Sequence, residues 1–153
     1  VCVVYLRIDR ERISEEPWIQ VDDARVPFAR AFEPRNWSLA LAPPGRTVIG
    51  LECYCQAEDG DPVWALDDAD LAARCAAALH DPLGLLDDPG AAVPIEVVRL
   101  PRAYPVADLA QVAAVRAPAL WLERLEGIHL APGAAVIEAI EAGERAARQS
   151  GVR

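Results

Sequence analysis

Lysine and methionine are both missing from the 153 residues, and histidine occurs only twice. With His80 and His129 far apart in sequence, an imidazole-built metal centre is excluded. All 15 basic residues are arginine, set against 24 acidic ones, for a net charge of −9. A basic face able to neutralise phosphates is therefore lacking, which excludes a nucleic-acid partner. Exclusive use of arginine together with abundant alanine matches the codon bias of a GC-rich bacterial genome. No apolar run reaches the roughly 18 residues of a membrane span, and Val1–Ile8 has neither the basic start nor the cleavage site of a signal peptide. A cytoplasmic protein with no membrane span is expected.

Catalytic signatures are equally scarce. The chain has no G-x-G-x-x-G turn, no Walker-type phosphate loop, no H-E-x-x-H and no G-x-S-x-G elbow. Its serines, Ser14, Ser38 and Ser150, sit on no nucleophile elbow and beside no histidine. The paired carboxylates Asp22-Asp23, Asp67-Asp68 and Asp87-Asp88 fall at turns or helix starts, where capping accounts for them. The four cysteines, at 2, 53, 55 and 75, show no C-x-x-C spacing and read as small core residues of a reduced protein. Without a methionine and with Val1 already inside a strand pattern, the chain reads as a piece of a longer protein.

What is present is a hydrophobic fraction of 53%, enough for a substantial core. Val1–Ile8, Pro17–Val21, Val26–Phe32, Arg46–Cys55 and Pro94–Leu100 carry strand patterns. Parity places Arg30 on the face of Val26 and Phe28, and groups Val48, Gly50, Glu52 and Tyr54 on one side of the fourth run. A helix is expected from an Asp67 N-cap, with Leu71, Cys75 and Leu79 on its inner stripe and His80 at its C-terminal end. A second helix is expected over 105–117, ended by Pro118, then a short strand over 127–131. The last helix follows, with Val136, Ile140, Gly143 and Ala147 on one stripe. Gly143 inside a helix costs about 1 kcal/mol relative to alanine, which suggests close approach of a backbone or ligand there. The order β-β-β-β-α-β-α-β-α predicts an α+β domain, a mainly antiparallel or mixed sheet covered by helices. Val1–Ile8 is expected to expose a strand edge if a neighbour has been removed, so a homo-oligomer is one expectation.

Two stretches stand out as candidate binding surfaces. One is Pro27–Gly45, with Arg30, Asn36, Trp37 and Ser38; Trp37 itself reads as a packing anchor. The other is Arg99–Val106, where Tyr104 before Pro105 is held extended beside arginines suited to an anionic group.

The ordered set "WIQV", "PFARAFEPRNWS", "APPGRTVIGLECYC", Trp64–Leu71, "RLPRAYPV" and "GIHLA" with Ala139–Ala147 resembles the flavin-containing amine oxidase superfamily. Within it, the protoporphyrinogen-oxidase-like and UDP-galactopyranose-mutase-like branch is the most similar. The resemblance covers the substrate-side and C-terminal portion and spans almost the whole chain. It implies one substrate-binding-type domain over 1–153, with 127–150 as the C-terminal flavin-side strand and helix. The N-terminal dinucleotide-binding region is absent from the sequence. It further implies that Arg30, Asn36, Ser38, Arg99 and Tyr104 face a small-molecule substrate. Gly133, Ala139 and Gly143 would lie close to FAD in the parent protein. An N-terminal FAD-binding domain of the same parent chain is the implied partner, and the segment alone is expected to be inactive. A standalone binding or dimerisation module derived from such a domain is the alternative.

Overall fold

The fold was analysed on a computed structural model that describes residues 1–104, 109–122, 124–125, 128 and 136–150. The chain divides into two units, Val1–Tyr104 and Pro105–Arg153. The first holds five strands and one long helix: β1 (Cys2–Ile8), β2 (Trp18–Gln20), β3 (Arg30–Phe32), β4 (Thr47–Cys53), α1 (Asp68–His80) and β5 (Ala92–Arg99). They form one sheet in the order β2-β3-β4-β1-β5, and every neighbouring pair is antiparallel. The architecture is α+β.

The alternation of "VCVVYLRI" decides where the core lies. Cys2, Val4, Leu6 and Ile8 point to one face of β1, as do Ile49, Leu51 and Cys53 of β4, and all are buried. α1 lays Leu71, Ala72, Cys75, Ala76 and Leu79 against that face. Each large side chain so buried contributes on the order of 1.5–3 kcal/mol. The Asp67 side chain accepts from the Asp70 amide at 2.8 Å and starts the helix as expected. At the other end, His80 Nδ1 lies 2.9 Å from the Leu86 carbonyl, tying down the loop that leaves the helix.

Three details depart from the sequence reading. β1 is not an edge: it pairs with β4 on one side and β5 on the other. Among the described residues the edges are β2 and β5. β3 is shorter than the Val26–Phe32 pattern, because Val26 N donates to Asp23 O in a turn and Pro27 has no N–H to give a ladder. The parity therefore resets: Phe28 and Ala31 are buried, and Arg30 lies on the opposite face from them. In β5 the register against β1 shifts between Tyr5 and Leu6, next to Pro94, which again cannot donate.

In the second unit, α2 spans Leu109–Leu122 and α3 spans Val136–Ser150. α2 continues through Pro118 rather than stopping at it; the apolar Ala119–Leu122 run carries no other breaker. In α3, Ala142 is buried while Ile140 is 57% exposed, so the inner stripe is not the expected one through Ile140. Glu141–Arg145 and Glu144–Arg148 pair at i,i+4 on its outer side. The expected strand over 127–131 lies outside the described residues except for Ile128.

Candidate functional site

One sheet face is sealed by α1, and the other carries the side chains of opposite parity: Tyr5, Phe32, Gly50, Glu52 and Arg30. Arg30 and Glu52 are directly opposed across β3 and β4. Arg30 Nη1 lies 3.7 Å from Glu52 Oε2, and Arg30 Nη2 donates to Tyr54 Oη at 2.8 Å. Tyr54 in turn donates to Glu52 Oε2 at 3.0 Å. The three groups close a ring of guanidinium, phenol and carboxylate.

Aromatic rings frame this trio. The Arg30 guanidinium sits 5.4 Å above the centre of the Trp18 ring, a cation–π contact. Tyr104 packs against Tyr54 with ring centres 5.8 Å apart and stays 58% exposed. Partial burial, then the hydrogen bond to Glu52 and its negative charge, push the Tyr54 hydroxyl up to about 12, with Arg30 working in the opposite direction. Tyr54 is thus a protonated donor at neutral pH. The arrangement offers a planar cation, a phenol and exposed ring faces, a set suited to an anionic or hydrogen-bonding group attached to a flat or apolar body.

A second aromatic series leads away from the trio. Tyr5 meets Phe32 edge-on at 6.0 Å, and Phe32 stacks on Trp37 at 6.1 Å and 29°. Phe32 lies over Gly50, where an added Cβ would come within 2.2 Å of Cζ. The glycine is there because an aromatic ring occupies the space above the strand.

The remaining expected substrate residues have partners of their own. Asn36 Nδ2 donates to the carbonyls of Ser14 and Glu16, both at 2.8 Å. It works beside Glu33, a carboxylate only 2% exposed. Glu33 accepts from the amides of Ile13 and Ser14 and, at 2.6 Å, from the Thr47 hydroxyl. Ser38 caps the short 3-10 turn Leu39–Leu41. Arg99 lies on the α1 side, three strands along from β3. Its guanidinium donates to Trp64 O at 2.8 Å, Leu66 O at 2.7 Å and Asp68 Oδ1 at 2.8 Å, which fixes the approach to α1. The structure thus brings Arg30 and Tyr104 together around Tyr54 and sets Asn36, Ser38 and Arg99 to holding loops.

Trp18 and Tyr54 were not singled out from sequence as site residues. The signal was available for Tyr54, since parity groups it with Glu52, and Glu52 is opposed to Arg30 once β3 and β4 are paired.

Of the residues expected beside a flavin, Gly133 lies outside the described residues. Ala139 is exposed on α3. At Gly143 no close approach is found: a Cβ there would meet nothing within 4 Å among the described residues.

A groove of about 730 Å³ lies elsewhere in the first unit, between the alanines of α1 (Ala69, Ala72, Ala73, Ala76) and Pro94–Val97 of the edge strand β5. Among the described residues no group of three or more side chains is placed to hold a metal ion, and no helix is long and apolar enough to cross a membrane.

No protein-family model and no curated protein matches the sequence. Among solved structures, the fold is similar to that of the crystal structure of reduced UDP-galactopyranose mutase, with a TM-score of 0.58 and 16% identity. The match covers 75% of this chain and 24% of the mutase chain, so this sequence spans about a quarter of that protein and shares its fold over that part.

Proposed function

We propose that this chain is the substrate-binding and C-terminal portion of an FAD-dependent oxidoreductase of the amine-oxidase type, inactive without a dinucleotide-binding domain. The observation that carries the reading is the open sheet face, where Arg30, Tyr54, Glu52, Trp18 and Tyr104 converge while α1 closes the other face. The likeness in fold to UDP-galactopyranose mutase supports it, because that enzyme gives its name to the branch the sequence motifs resemble. In this reading the exposed face binds a small substrate with an anionic group, held by Arg30 and oriented by Tyr54. FAD supplies the redox chemistry in the parent protein. No residue of this sequence forms the glycine-rich turn that would cradle its diphosphate. Among the described residues, Ala139 and Gly143 are the small residues this reading sets beside a flat ring, and no described atom lies within 4 Å of a Cβ placed at Gly143. A reducing cytoplasm accords with four free thiols.

The test is the visible spectrum of the full-length gene product. A flavin spectrum, with FAD released on denaturation, is expected; a colourless protein with no extractable flavin overturns the reading.

A standalone binding or dimerisation module is favoured by one observation, the β5 edge, where Val93 and Ile95 are exposed beside the α1 groove. Light scattering of this chain alone separates the two: a strict monomer removes the dimerisation form of this alternative.

A further inference from the structure

The β1–β4 register that builds the core also gathers all four cysteines. Cys2 is directly opposite Cys53. Cys2 Sγ lies 3.7 Å from Cys55 Sγ, and Cys53 Sγ lies 3.7 Å from Cys75 Sγ in α1. All four are free. A disulfide has an S–S distance of about 2.05 Å, so either pair needs an approach of roughly 1.7 Å to close.

The two pairs are not equivalent. Cys53 and Cys75 are fully buried, one in the β4 ladder and the other inside α1, so neither sulfur moves without its element. Cys55 lies two residues beyond the last residue of β4 and is only half-buried. Its backbone is outside the strand, and it is the one cysteine of the four that is not fully buried. Cys2 is buried, but it has a cation at hand: Arg99 Nη1 lies 3.6 Å from its Sγ, held there by the carbonyls of Trp64 and Leu66.

We propose that Cys2 and Cys55 form a reversible oxidation site, a dithiol that hydrogen peroxide converts to an intramolecular disulfide. Attack begins at Cys55, the least buried of the four cysteines. Its thiolate displaces hydroxide from the peroxide oxygen, giving a sulfenic acid at Cys55. Cys2 then attacks the Cys55 sulfur, the S–S bond forms, and the hydroxyl leaves as water on taking the Cys2 proton. In sum, two thiols and one peroxide give one disulfide and two waters. Burial, and then the contact with Cys55, push the Cys2 thiol up to about 11, which fits its place as the second, resolving sulfur rather than the first to react. Arg99 stabilises the thiolate as it forms.

The site is distinct from the outer face and stands whatever that face binds. The two are neighbours in sequence, because Tyr54 lies between Cys53 and Cys55 and points to the opposite side, to Arg30 and Glu52. Drawing Cys55 toward Cys2 therefore pulls on the backbone that aims the Tyr54 hydroxyl.

The experiment treats the reduced full chain with hydrogen peroxide, then alkylates it with iodoacetamide in denaturant and maps its peptides without reduction. Two of the four thiols are expected to resist alkylation. A peptide linked through Cys2 and Cys55 is expected, and dithiothreitol should restore both thiols. In Cys2→Ser, Cys55 should run on to the sulfinic acid, and Cys75→Ala should keep the link. Four alkylatable thiols after peroxide overturn the proposal. So does a link through Cys53 and Cys75, or over-oxidation of Cys55 in the unsubstituted chain with Cys2 still free. These outcomes are read on the unsubstituted chain, so a variant that fails to fold leaves the test intact.

Discussion

Phe32 and Gly50 face each other across β3 and β4, and the ring of one occupies the volume a side chain on the other would need. An added Cβ at 50 would stand 2.2 Å from Cζ of Phe32 and 2.6 Å from both Cε atoms, closer than any carbon pair tolerates. Tyr5 is paired with Gly50 from the other side and meets the same ring edge-on. The glycine seats the aromatic series that ends at Trp37.

Gly50→Ala is therefore expected to lower stability by about 1–3 kcal/mol, the usual cost of overpacking. Urea unfolding measures it. Phe32→Ala made together with Gly50→Ala should cost less than the sum of the two single changes, since the clash disappears with the ring. Strict additivity would mean that the two residues do not touch.

Tyr54 should titrate late, near pH 12. Its folded value lies above the usual 10, so the folded state holds the phenolic proton longer than the unfolded chain does. Stability from this group is complete below pH 10 and falls as pH rises from 10 through about 12. Ultraviolet absorbance titration of the protein against Tyr54→Phe checks the assignment; the variant should lose the late step and part of the alkaline loss of stability.

Glu33 accepts from two backbone amides and the Thr47 hydroxyl in a nearly closed pocket. Glu33→Ala leaves those donors unmatched and should destabilise by about 3 kcal/mol or more, with the 13–16 loop released first. Denaturant midpoints give the size, and hydrogen exchange at Ile13 and Ser14 gives the place.

Arg30 and Arg99 should separate function from fold. Arg30→Ala is expected to weaken substrate binding by tenfold or more, with a smaller loss of stability from its partly buried pair with Glu52. Arg99→Ala removes three hydrogen bonds to the 64–68 segment and should lower the melting temperature while leaving ligand affinity within about twofold. Titration of the full-length protein with substrate, alongside thermal melts, distinguishes them. The opposite pattern would place the binding surface on the α1 side.

Much of the fold was legible because its strongest signals are local. The alternation in Val1–Ile8 and Thr47–Cys53 and the i, i+4 spacing of Leu71, Cys75 and Leu79 each state which face is inside. What sequence did not give was pairing. Nothing in "VCVVYLRI" says that it takes partners on both sides, so it read as an edge. The parity of β3 was lost because the Asp23–Val26 turn resets the count before Arg30, a backbone event with no periodic trace. At the site, Arg30 and Tyr104 were visible as residue types suited to a ligand. The bond from Arg30 to Tyr54 is a product of register and becomes readable only once Arg30 is set opposite Glu52. Arg99 also reads as a ligand group from sequence, and its three acceptors around the start of α1 became visible only in the fold.

The central place of β1 has a consequence for how the chain comes to be folded. Val4 lies between Leu51 and Val97, so β1 waits for two partners that are made later in the chain. Until β4 emerges, a run of valine, cysteine, tyrosine and leucine has both edges open and no face covered. Long-range pairing of this kind slows folding and lengthens the time during which a strand can join the wrong neighbour. Nascent chains stopped before Thr47 should therefore be the ones that self-associate, and those that have completed β5 should not.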